Sequence, residues 1–377
     1  MATYKEQNKL NVPHLRFPEF HGEWEKCKLA DIATLTKGSG ISKDQRSATG
    51  TPCILYGELY TTYKSEVIDY VVSKTDISDK NLVRSCANDI IIPSSGETAI
   101  DISTARCVLS PDVLLGGDLN IIRLKDGDGR FFSYQLNGVR KHDIAKIAQG
   151  VSVVHLYGES IKGLTVSFPS NKEQQKISTL LSLIDERIAT QSKLIEKLES
   201  LIKGIAQKIV RNKPNVRLAE CLECKSSTLQ ESEVCEQGTY PVYGANGIVG
   251  FLDNYSTEGE AVYIIKDGSG VGTVSYVTGK CSATGTLNTL QAKESYSLQY
   301  FYYLLKVFNF EPYKTGMAIP HIYFKDYGKA KVFCPSYTEQ LQYARLLSAI
   351  DNKLSAERHI LTNLSLQKQY LLRQMFI

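Results

Sequence analysis

The sequence lacks several features, and each absence excludes a class of protein. No apolar run approaches the ~18 residues that a membrane-spanning helix needs. The N-terminal stretch has no apolar signal core, so we expect a cytoplasmic chain whose cysteines stay reduced. The nine cysteines are scattered, and Cys221-x-x-Cys224 has no second pair at zinc-finger spacing. We therefore predict neither a disulfide scaffold nor a metal site.

An excess of charge of one sign is also lacking. The chain has 44 Lys and Arg against 40 Asp and Glu, which gives a formal net charge of +4. A protein that binds DNA alone through phosphate contacts is usually more basic. Either the chain does not bind DNA, or a partner supplies much of the phosphate contact.

Catalytic motifs are absent from the sequence as well. It has no NPPY- or DPPY-like methyltransferase motif, no FxGxG cofactor loop and no GxxxxGK[ST] phosphate loop. The glycine-rich run 268–272 lies between β-type segments instead of opening a helix, which favours a turn. His155 and His321 have no nucleophile or metal partner nearby in sequence, so we expect them to pack or to hydrogen-bond. The chain is predicted to be non-catalytic.

The sequence does contain one long stretch twice. Residues 169–210 and 335–376 align without a gap at an offset of 166. Self-similarity at a fixed offset indicates a repeat architecture. Each copy starts with Pro-Ser and has a glutamate three residues after the serine, which predicts a capping box and a helix start. We therefore expect Ser170 with Glu173, and Ser336 with Glu339, to cap two long helices.

Apolar residues recur in both helices at alternating steps of four and three, the seam of a coiled coil. In the first helix the seam comprises Ile177, Leu181, Ile184, Ile188, Gln191, Ile195, Leu198, Ile202, Ile205 and Ile209. In the second it comprises Tyr343, Leu347, Ile350, Leu354, Glu357, Leu361, Leu364, Lys368, Leu371 and Met375. Gln191 and Glu357 are polar and near mid-helix, so an antiparallel pairing would bring them together. The alternative is two separate amphipathic helices, each on its own domain.

The two helices divide the chain into alternating globular and helical parts. We predict a domain at 1–168, a helix at 169–212, a second domain at 213–334 and a second helix at 335–377. The second domain echoes the first, because QGVSVVHLY at 149–157 corresponds to TGMAIPHIY at 315–323. A pseudo-two-fold axis would place one domain at each end of a spacer of about 60 Å. The predicted fold class is α+β, with two pseudo-two-fold-related α/β domains joined by two long helices in an antiparallel coiled coil.

Individual elements of the domains are also predicted. Residues 24–32 predict a strand that enters a short helix, 89–93 a buried strand, and 113–124 a turn followed by a strand. Residues 130–147 predict one helix, and the aromatic run 300–305 predicts another. Residues 37–51 are rich in Gly, Ser and Lys, which indicates an exposed loop.

Several stretches resemble the specificity (S) subunit of type I restriction–modification systems. They are LRFPEFHGEWEKCKLADIATLTKG at 15–38, DIIIPSSG at 89–96, LLGGDLNIIRL at 114–124, YPVYGANGIVGF at 240–251, DGSGVGTV at 267–274 and the two PSxxEQ helix starts. The resemblance covers nearly the whole chain. It implies two target-recognition domains that each read one half of a bipartite, asymmetric site in double-stranded DNA. It further implies two methyltransferase (M) and two restriction (R) subunits as partners, with S-adenosylmethionine, ATP and Mg²⁺ on those partners and no cofactor on this chain.

Base edges in the major groove call for Arg or Lys at guanine, Asn or Gln at adenine, and Ser or Thr at either. We expect such side chains on loops held by a rigid scaffold. In the first domain the candidates are Lys37, Ser39, Lys43, Gln45, Arg46, Tyr60, Tyr63, Lys64, Ser94, Ser95 and Arg106. In the second domain they are Tyr243, Asn246, Lys266, Ser269, Tyr276, Lys280 and Lys314.

Two other functions remain open on the sequence. The chain could be the targeting part of another class of restriction enzyme, which would bind DNA but need a different enzyme. It could also be a non-catalytic coiled-coil scaffold that binds only proteins, which the near-neutral charge favours. The paired loop-rich domains in front of matching helix starts weigh against the scaffold.

Overall fold

A computed structural model of the chain describes residues 10–78, 81–317 and 319–377. Its contacts divide the chain into two compact units. Unit 1 comprises the residues up to Gln191 together with Ile360–Ile377, and unit 2 comprises Ser192–His359. The division falls inside both long helices, so each unit holds one globular domain and one end of each helix. The domain limits predicted along the chain, at 168, 212 and 334, stay a prediction.

Unit 1 alternates short strands with short helices. Its strands are β1 (Glu25–Lys28), β2 (Ala33–Lys37), β3 (Thr51–Ile54), β4 (Val67–Ile68), β5 (Lys74–Thr75), β6 (Asp89–Pro93), β7 (Ser95–Gly96), β8 (Arg106–Val108), β9 (Leu114–Leu115), β10 (Leu119–Leu124), β11 (Val154–His155) and β12 (Thr165–Phe168). Its helices are α1 (Leu29–Ile32), α2 (Glu58–Thr61), α3 (Ala99–Ile102), α4 (Gly129–Asn137), α5 (Lys141–Ile147), α6 (Gly158–Lys162) and the first half of α7 (Asn171–Val210). A 3₁₀ turn forms at Lys43–Gln45.

The centre of unit 1 is a five-stranded sheet in the order β2-β10-β6-β8-β4. Alternate residues of β6 face opposite sides of this sheet. Ile90 and Ile92 belong to one core cluster, which also contains Phe131 of α4, whereas Ile91 belongs to a second cluster. Because both faces are buried, the strand is a continuous run of Ile instead of an alternating pattern.

Unit 2 has a similar succession of elements. Its strands are β13 (Val216–Arg217), β14 (Leu222–Ser226), β15 (Tyr240–Gly244), β16 (Gly247–Leu252), β17 (Glu260–Ile265), β18 (Val274–Thr278), β19 (Ser282–Ala283), β20 (Leu287–Ala292) and β21 (Lys331–Val332). Its helices are the second half of α7, α8 (Leu218–Cys221), α9 (Leu298–Lys306), α10 (Phe324–Tyr327) and the first part of α11 (Tyr337–Gln374). 3₁₀ turns form at Glu231–Glu233 and Glu311–Tyr313.

The two units share one sheet topology. The antiparallel order β2-β10-β6-β8 in unit 1 corresponds to β14-β20-β17-β18 in unit 2. The parallel pair β3 and β9 corresponds to β15 and β19. The antiparallel pair β1 and β12, which precedes α7, corresponds to β13 and β21, which precedes α11. The repeat seen in the sequence is therefore a repeat of structure.

The long helices pair antiparallel in each unit. In unit 1, Leu181 near the start of α7 lies in one core cluster with Leu371 near the end of α11. In unit 2, Glu199 in the second half of α7 accepts a hydrogen bond of 2.5 Å from Arg358, which lies earlier in α11 than Leu371 does. Later residues of α7 therefore meet earlier residues of α11, as antiparallel pairing requires. Every position of the predicted seam is buried or half-buried. The predicted α+β fold class with an antiparallel coiled coil is confirmed; the contact between Gln191 and Glu357 stays a prediction.

The two long helices begin differently. At α11, the Ser336 N–H donates to Glu339 Oε2 at 3.1 Å and the Glu339 N–H donates to Ser336 Oγ at 3.4 Å, as predicted for a capping box. At α7, both carboxylate oxygens of Glu173 accept from Arg16 instead, at 2.7 and 2.8 Å. The capping box predicted for Ser170 and Glu173 is wrong, because a bidentate ion pair with a residue distant in sequence takes the carboxylate.

The other element predictions are mostly confirmed. β1 with α1, β6, β9 with β10, and α9 form where the patterns predict them. The single helix predicted over 130–147 is wrong, because Gly138 separates α4 from α5 with φ −88° and ψ −108°. The Gly138 N–H still donates to the Tyr134 carbonyl at 2.9 Å, so the glycine closes α4 while turning the chain.

Candidate nucleic-acid interface

An open cleft of about 880 Å³ lies on the surface of unit 1. Its walls come from three segments, residues 40–46, 55–62 and 117–118. Four predicted DNA contacts line it together: Lys43, Gln45, Arg46 and Tyr60. The other residues that line the cleft were not predicted, and they include the polar side chains of Tyr56, Glu58 and Asp118.

Glu58 is a buried residue in the wall of the cleft, and its carboxylate contacts three neighbouring residues. Its side chain is 8% exposed, and its carboxylate accepts from the Leu55 N–H at 2.9 Å and from the Ser73 hydroxyl. Arg46 Nη1 lies 3.5 Å from Glu58 Oε1, and Arg46 Nε donates to the Lys43 carbonyl at 3.2 Å. A buried carboxylate and the turn itself therefore orient the Arg46 guanidinium at the cleft.

Other predicted contacts of unit 1 lie outside the cleft. Lys37 at the end of β2 and Lys64 after α2 are exposed. Ser39 is half-buried, and its Oγ accepts from the Val83 N–H at 2.7 Å. Ser95 is half-buried in β7. The structure does not bring these four side chains together with the cleft residues.

Three predicted contacts of unit 1 are buried: Tyr63, Ser94 and Arg106. Arg106 donates to the carbonyls of Ala105 and Tyr63 at 3.2 and 3.1 Å, and burial lowers the pKa of its guanidinium. Burial also raises the pKa of Tyr63 to about 12. These side chains face the interior in this structure. Sequence reasoning had no signal for this, because an arginine or tyrosine in a loop-rich stretch has the same pattern whether it packs inward or outward.

The predicted contacts of unit 2 spread over separate turns. Asn246 lies between β15 and β16, Ser269 lies between β17 and β18, and both are exposed. Lys280 precedes β19, where its Nζ lies 3.6 Å from Glu258 Oε1 and 4.7 Å from the centre of the Tyr255 ring. A hydrogen bond with Tyr255 raises the pKa of Lys280.

The remaining predicted contacts of unit 2 are partly covered. The Tyr243 ring lies 5.6 Å from the Tyr263 ring, and the Tyr276 ring lies 5.4 Å from the Tyr302 ring. Burial raises the pKa of both Tyr243 and Tyr276. These tyrosines therefore pack against aromatic neighbours as well as facing the surface. The last two candidates are half-buried lysines: Lys266 and Lys314.

One loop has the same form in both units. His155 and His321 each exchange two backbone hydrogen bonds, of 2.9 and 2.7 Å, with the residue six positions earlier. The His155 ring stacks on Tyr157 with 6.2 Å between centres, and His321 Nδ1 lies 2.6 Å from Asp267 Oδ1. Both histidines thus take part in packing or hydrogen bonding, as predicted.

A second repeated feature keeps its backbone but changes its charge. The 3₁₀ turn Lys43–Gln45 of unit 1 corresponds to Glu231–Glu233 of unit 2 at an offset of 188. In the first turn, the Gln45 side chain accepts from the backbone N–H before the turn at 2.8 Å. Glu233 does the same in the second, also at 2.8 Å. Equivalent positions therefore present basic and amide groups in one unit and carboxylates in the other.

Over residues 10–78, 81–317 and 319–377, no group of three or more His, Cys, Asp or Glu side chains is placed to hold a metal ion. Within these same ranges, no helix is both long and apolar enough to cross a membrane.

Two regions of the chain, residues 21–200 and 212–366, match the sequence model of the family described as "Type I restriction modification DNA specificity domain". Together they span most of the chain. The chain belongs to this family. Each family match starts near the first strand of a domain and ends within a long helix, so this specificity-domain protein repeats domain and helix as one piece.

Curated proteins similar to this specificity-domain protein are named as type I specificity subunits. One is a putative type I specificity subunit of Mycoplasma genitalium, 26% identical over 379 residues that cover 94% of each chain. Another is the type I restriction enzyme MjaVIII specificity subunit of Methanocaldococcus jannaschii, 25% identical over 216 residues. That match covers 55% of this chain and 46% of the relative.

Solved structures share the fold of this specificity-domain protein. The crystal structure of the type I restriction–modification S subunit from M. genitalium superposes with a TM-score of 0.71 at 22% identity, covering 97% of this chain and 99% of that one. A chain from a study of complex assembly and conformational transition of the type I system matches with a TM-score of 0.53 at 14% identity, covering 94% and 97%.

Proposed function

We propose that this chain is the sequence-specific DNA-binding specificity subunit of a type I restriction–modification complex. Each unit reads one half of a bipartite, asymmetric site, and the long helices set the gap. The observation that carries the proposal is the contrast between the two units. They share one topology and one backbone turn, yet present different side chains at equivalent surface positions, as two readers of different half-sites require.

The chemistry of the exposed turns supports base reading. The cleft of unit 1 gathers Arg46, Lys43 and Gln45, which are residue types that can donate hydrogen bonds to base edges. The net charge of +4 is small for a protein that holds DNA alone. Partner subunits are therefore expected to supply much of the phosphate contact.

The partners in this proposal are two M and two R subunits, and the chain itself is non-catalytic. S-adenosylmethionine, ATP and Mg²⁺ belong to those partners, and adenine methylation is their reaction. The long helices support docking of the M subunits, because α7 and α11 expose large apolar side chains, among them Leu183, Leu366 and Tyr370 of unit 1.

Sequencing of native genomic DNA with base-modification detection, in the host with and without this gene, tests the proposal. We expect one motif of two short halves around a fixed gap to lose its methyl-adenine when the gene is deleted. Restoring the gene on a plasmid is expected to restore methylation of the same motif.

An unchanged methylation pattern, in cells where the M subunit is expressed, would refute the proposal. The coiled-coil scaffold would then be the better interpretation, and proteins bound to the helices would be sought. Loss of a continuous motif, without a gap, would indicate the targeting part of another restriction enzyme class.

A further inference from the structure

The ion pair between Arg46 and Glu58 is a property of unit 1. At the corresponding offsets of 188 and 189 along the chain, unit 2 has Val234 and Gly247. The turn that precedes Arg46 and the strand that precedes Glu58 are repeated in unit 2, but α2, which contains Glu58, is replaced there by β16. In unit 1 alone, a buried carboxylate orients a surface arginine. This difference points to a role that is specific to unit 1.

The geometry leaves one edge of the guanidinium for a ligand. Arg46 Nε donates to the Lys43 carbonyl at 3.2 Å, and Nη1 faces Glu58 Oε1 at 3.5 Å. The Nη1 and Nη2 edge of a guanidinium carries two parallel N–H groups, and Arg46 lines the cleft. The Arg46 side chain is 38% exposed, so its guanidinium is accessible to a ligand while the contacts with Lys43 and Glu58 hold it in place.

We propose that Arg46 reads a guanine in the half-site of unit 1, and that Glu58 is the residue that positions it. This inference rests on the proposed function. Two parallel N–H donors match the O6 and N7 acceptors that guanine presents in the major groove. Pre-orientation reduces the rotamer entropy lost when a long side chain forms two directed hydrogen bonds.

A phosphate contact is the weaker interpretation of the same arginine. Phosphate binding depends on net positive charge and tolerates many geometries. The neighbouring Glu58 carboxylate offsets the charge of Arg46 but leaves its donors directed, which suits an uncharged base edge better than an anion. In unit 2 the counterpart of Arg46 is Val234, whose side chain has no donor, and the turn before it offers the carboxylates of Glu231 and Glu233, which cannot donate to guanine. The guanine preference of this position therefore belongs to one half-site only.

The test uses the full chain co-expressed with its M subunit. Methylated motifs are sequenced for wild type, Arg46→Gln, Arg46→Lys and Glu58→Gln. Arg84→Ala is the matched control, because Arg84 is an exposed arginine of unit 1 that donates to the Asp112 carbonyl and does not line the cleft. Thermal melting of each purified complex checks that the fold is kept.

We expect Arg46→Gln and Arg46→Lys to relax one G·C position in one half-site, lowering discrimination against the wrong base by roughly 5- to 150-fold. Glu58→Gln keeps one acceptor oxygen for the Leu55 N–H, and its amide N–H can donate to the Ser73 hydroxyl oxygen, but it removes the charge beside Arg46. It is expected to lower discrimination at the same position with little change in melting temperature. Arg84→Ala is expected to keep the wild-type motif.

Two results would overturn the inference. One is an unchanged motif in Arg46→Gln. The other is a loss of methylation in Arg46→Gln that leaves the motif itself unchanged and that Arg46→Lys restores, which would make the residue a phosphate contact. A wild-type complex that methylates no bipartite motif would instead refute the proposed function, so the two failures are distinguishable.

Discussion

Lys368 shows how a charged residue can occupy a seam position of a coiled coil. Its ammonium lies 2.5 Å from Asp185 Oδ1 and also pairs with Glu66. Asp185 accepts in addition from the Tyr134 hydroxyl at 2.8 Å and from the Ser65 hydroxyl at 3.0 Å. The three charged side chains are at most 13% exposed. Within unit 1, this network joins the domain to both long helices.

Replacing Lys368 by Met is therefore expected to destabilise unit 1, because it leaves two buried carboxylates without their cation. Breaking a buried pair in this way costs about 3–5 kcal/mol. Urea unfolding of the full-length chain measures the change. The control is Lys176→Met, which removes the exposed partner of Glu19 and should cost at most about 1 kcal/mol. Equal unfolding midpoints for the two variants would show that the buried network contributes nothing.

At the scale of elements, the long helices expose apolar side chains on their outer faces. On α11, Leu366 and Tyr370 are 57% and 58% exposed and lie four residues apart, on one face of the helix. Leu183 of α7, in the same unit, is 53% exposed. In the proposed function these side chains contact the M subunit. Each long helix would then have two apolar faces, one that packs on the other helix and one that binds the M subunit.

The double variant Leu366→Glu with Tyr370→Glu is accordingly expected to weaken association with the M subunit by at least about 5-fold, because charges would enter an apolar contact. Native mass spectrometry of the co-expressed subunits measures the assembled fraction. Tyr70→Glu with Val72→Glu is the matched control, since both residues are exposed and apolar but lie in the domain. If both double variants assembled as well as wild type, the M subunit would dock elsewhere.

At the scale of the whole molecule, domain and helix repeat together, and the helices keep their length better than the domains do. α7 has 40 residues and α11 has 38, whereas corresponding positions shift from an offset of 189 near the start of the domains to 166 at the helices. Helices of constant length with divergent domains are what a protein needs if it holds two different DNA-recognition domains at a fixed distance.

Inserting seven residues into both helices, after Gln191 and after His359, is expected to lengthen the gap of the methylated motif and leave its halves unchanged. One heptad keeps the seam in phase. It adds about 10 Å, which corresponds to about 3 base pairs. Native-DNA methylation sequencing reports the new motif. The insertion in α7 alone is the control and should abolish methylation, because it leaves one helix a heptad longer than its partner and so breaks their pairing register. A change in the half-sites with a constant gap would contradict the spacer.

Much of the candidate site lay beyond sequence reasoning. Lys43, Gln45, Arg46 and Tyr60 were predicted as separate contacts, but only the fold shows that they line one cleft. Glu58 was missed because a carboxylate is not an expected DNA contact, and its role depends on its burial beside Arg46. Ser94 and Arg106 were predicted at the surface and are buried. Each of these outcomes depends on contacts between segments that are distant along the chain.

Local patterns in the amino-acid sequence encode the long helices, the central strand and the repeat. The heptad spacing specified α7 and α11, the run Ile90–Ile92 specified a buried strand, and the offset of 166 specified the repeat. Such patterns suffice because periodicity and capping act within a few residues of the chain. Two other features follow from the folded chain alone: Glu173 pairs with Arg16 instead of forming its predicted cap, and Lys368 lies between two buried carboxylates. Those pairings join residues more than a hundred positions apart, and no local pattern records which distant charge is brought near.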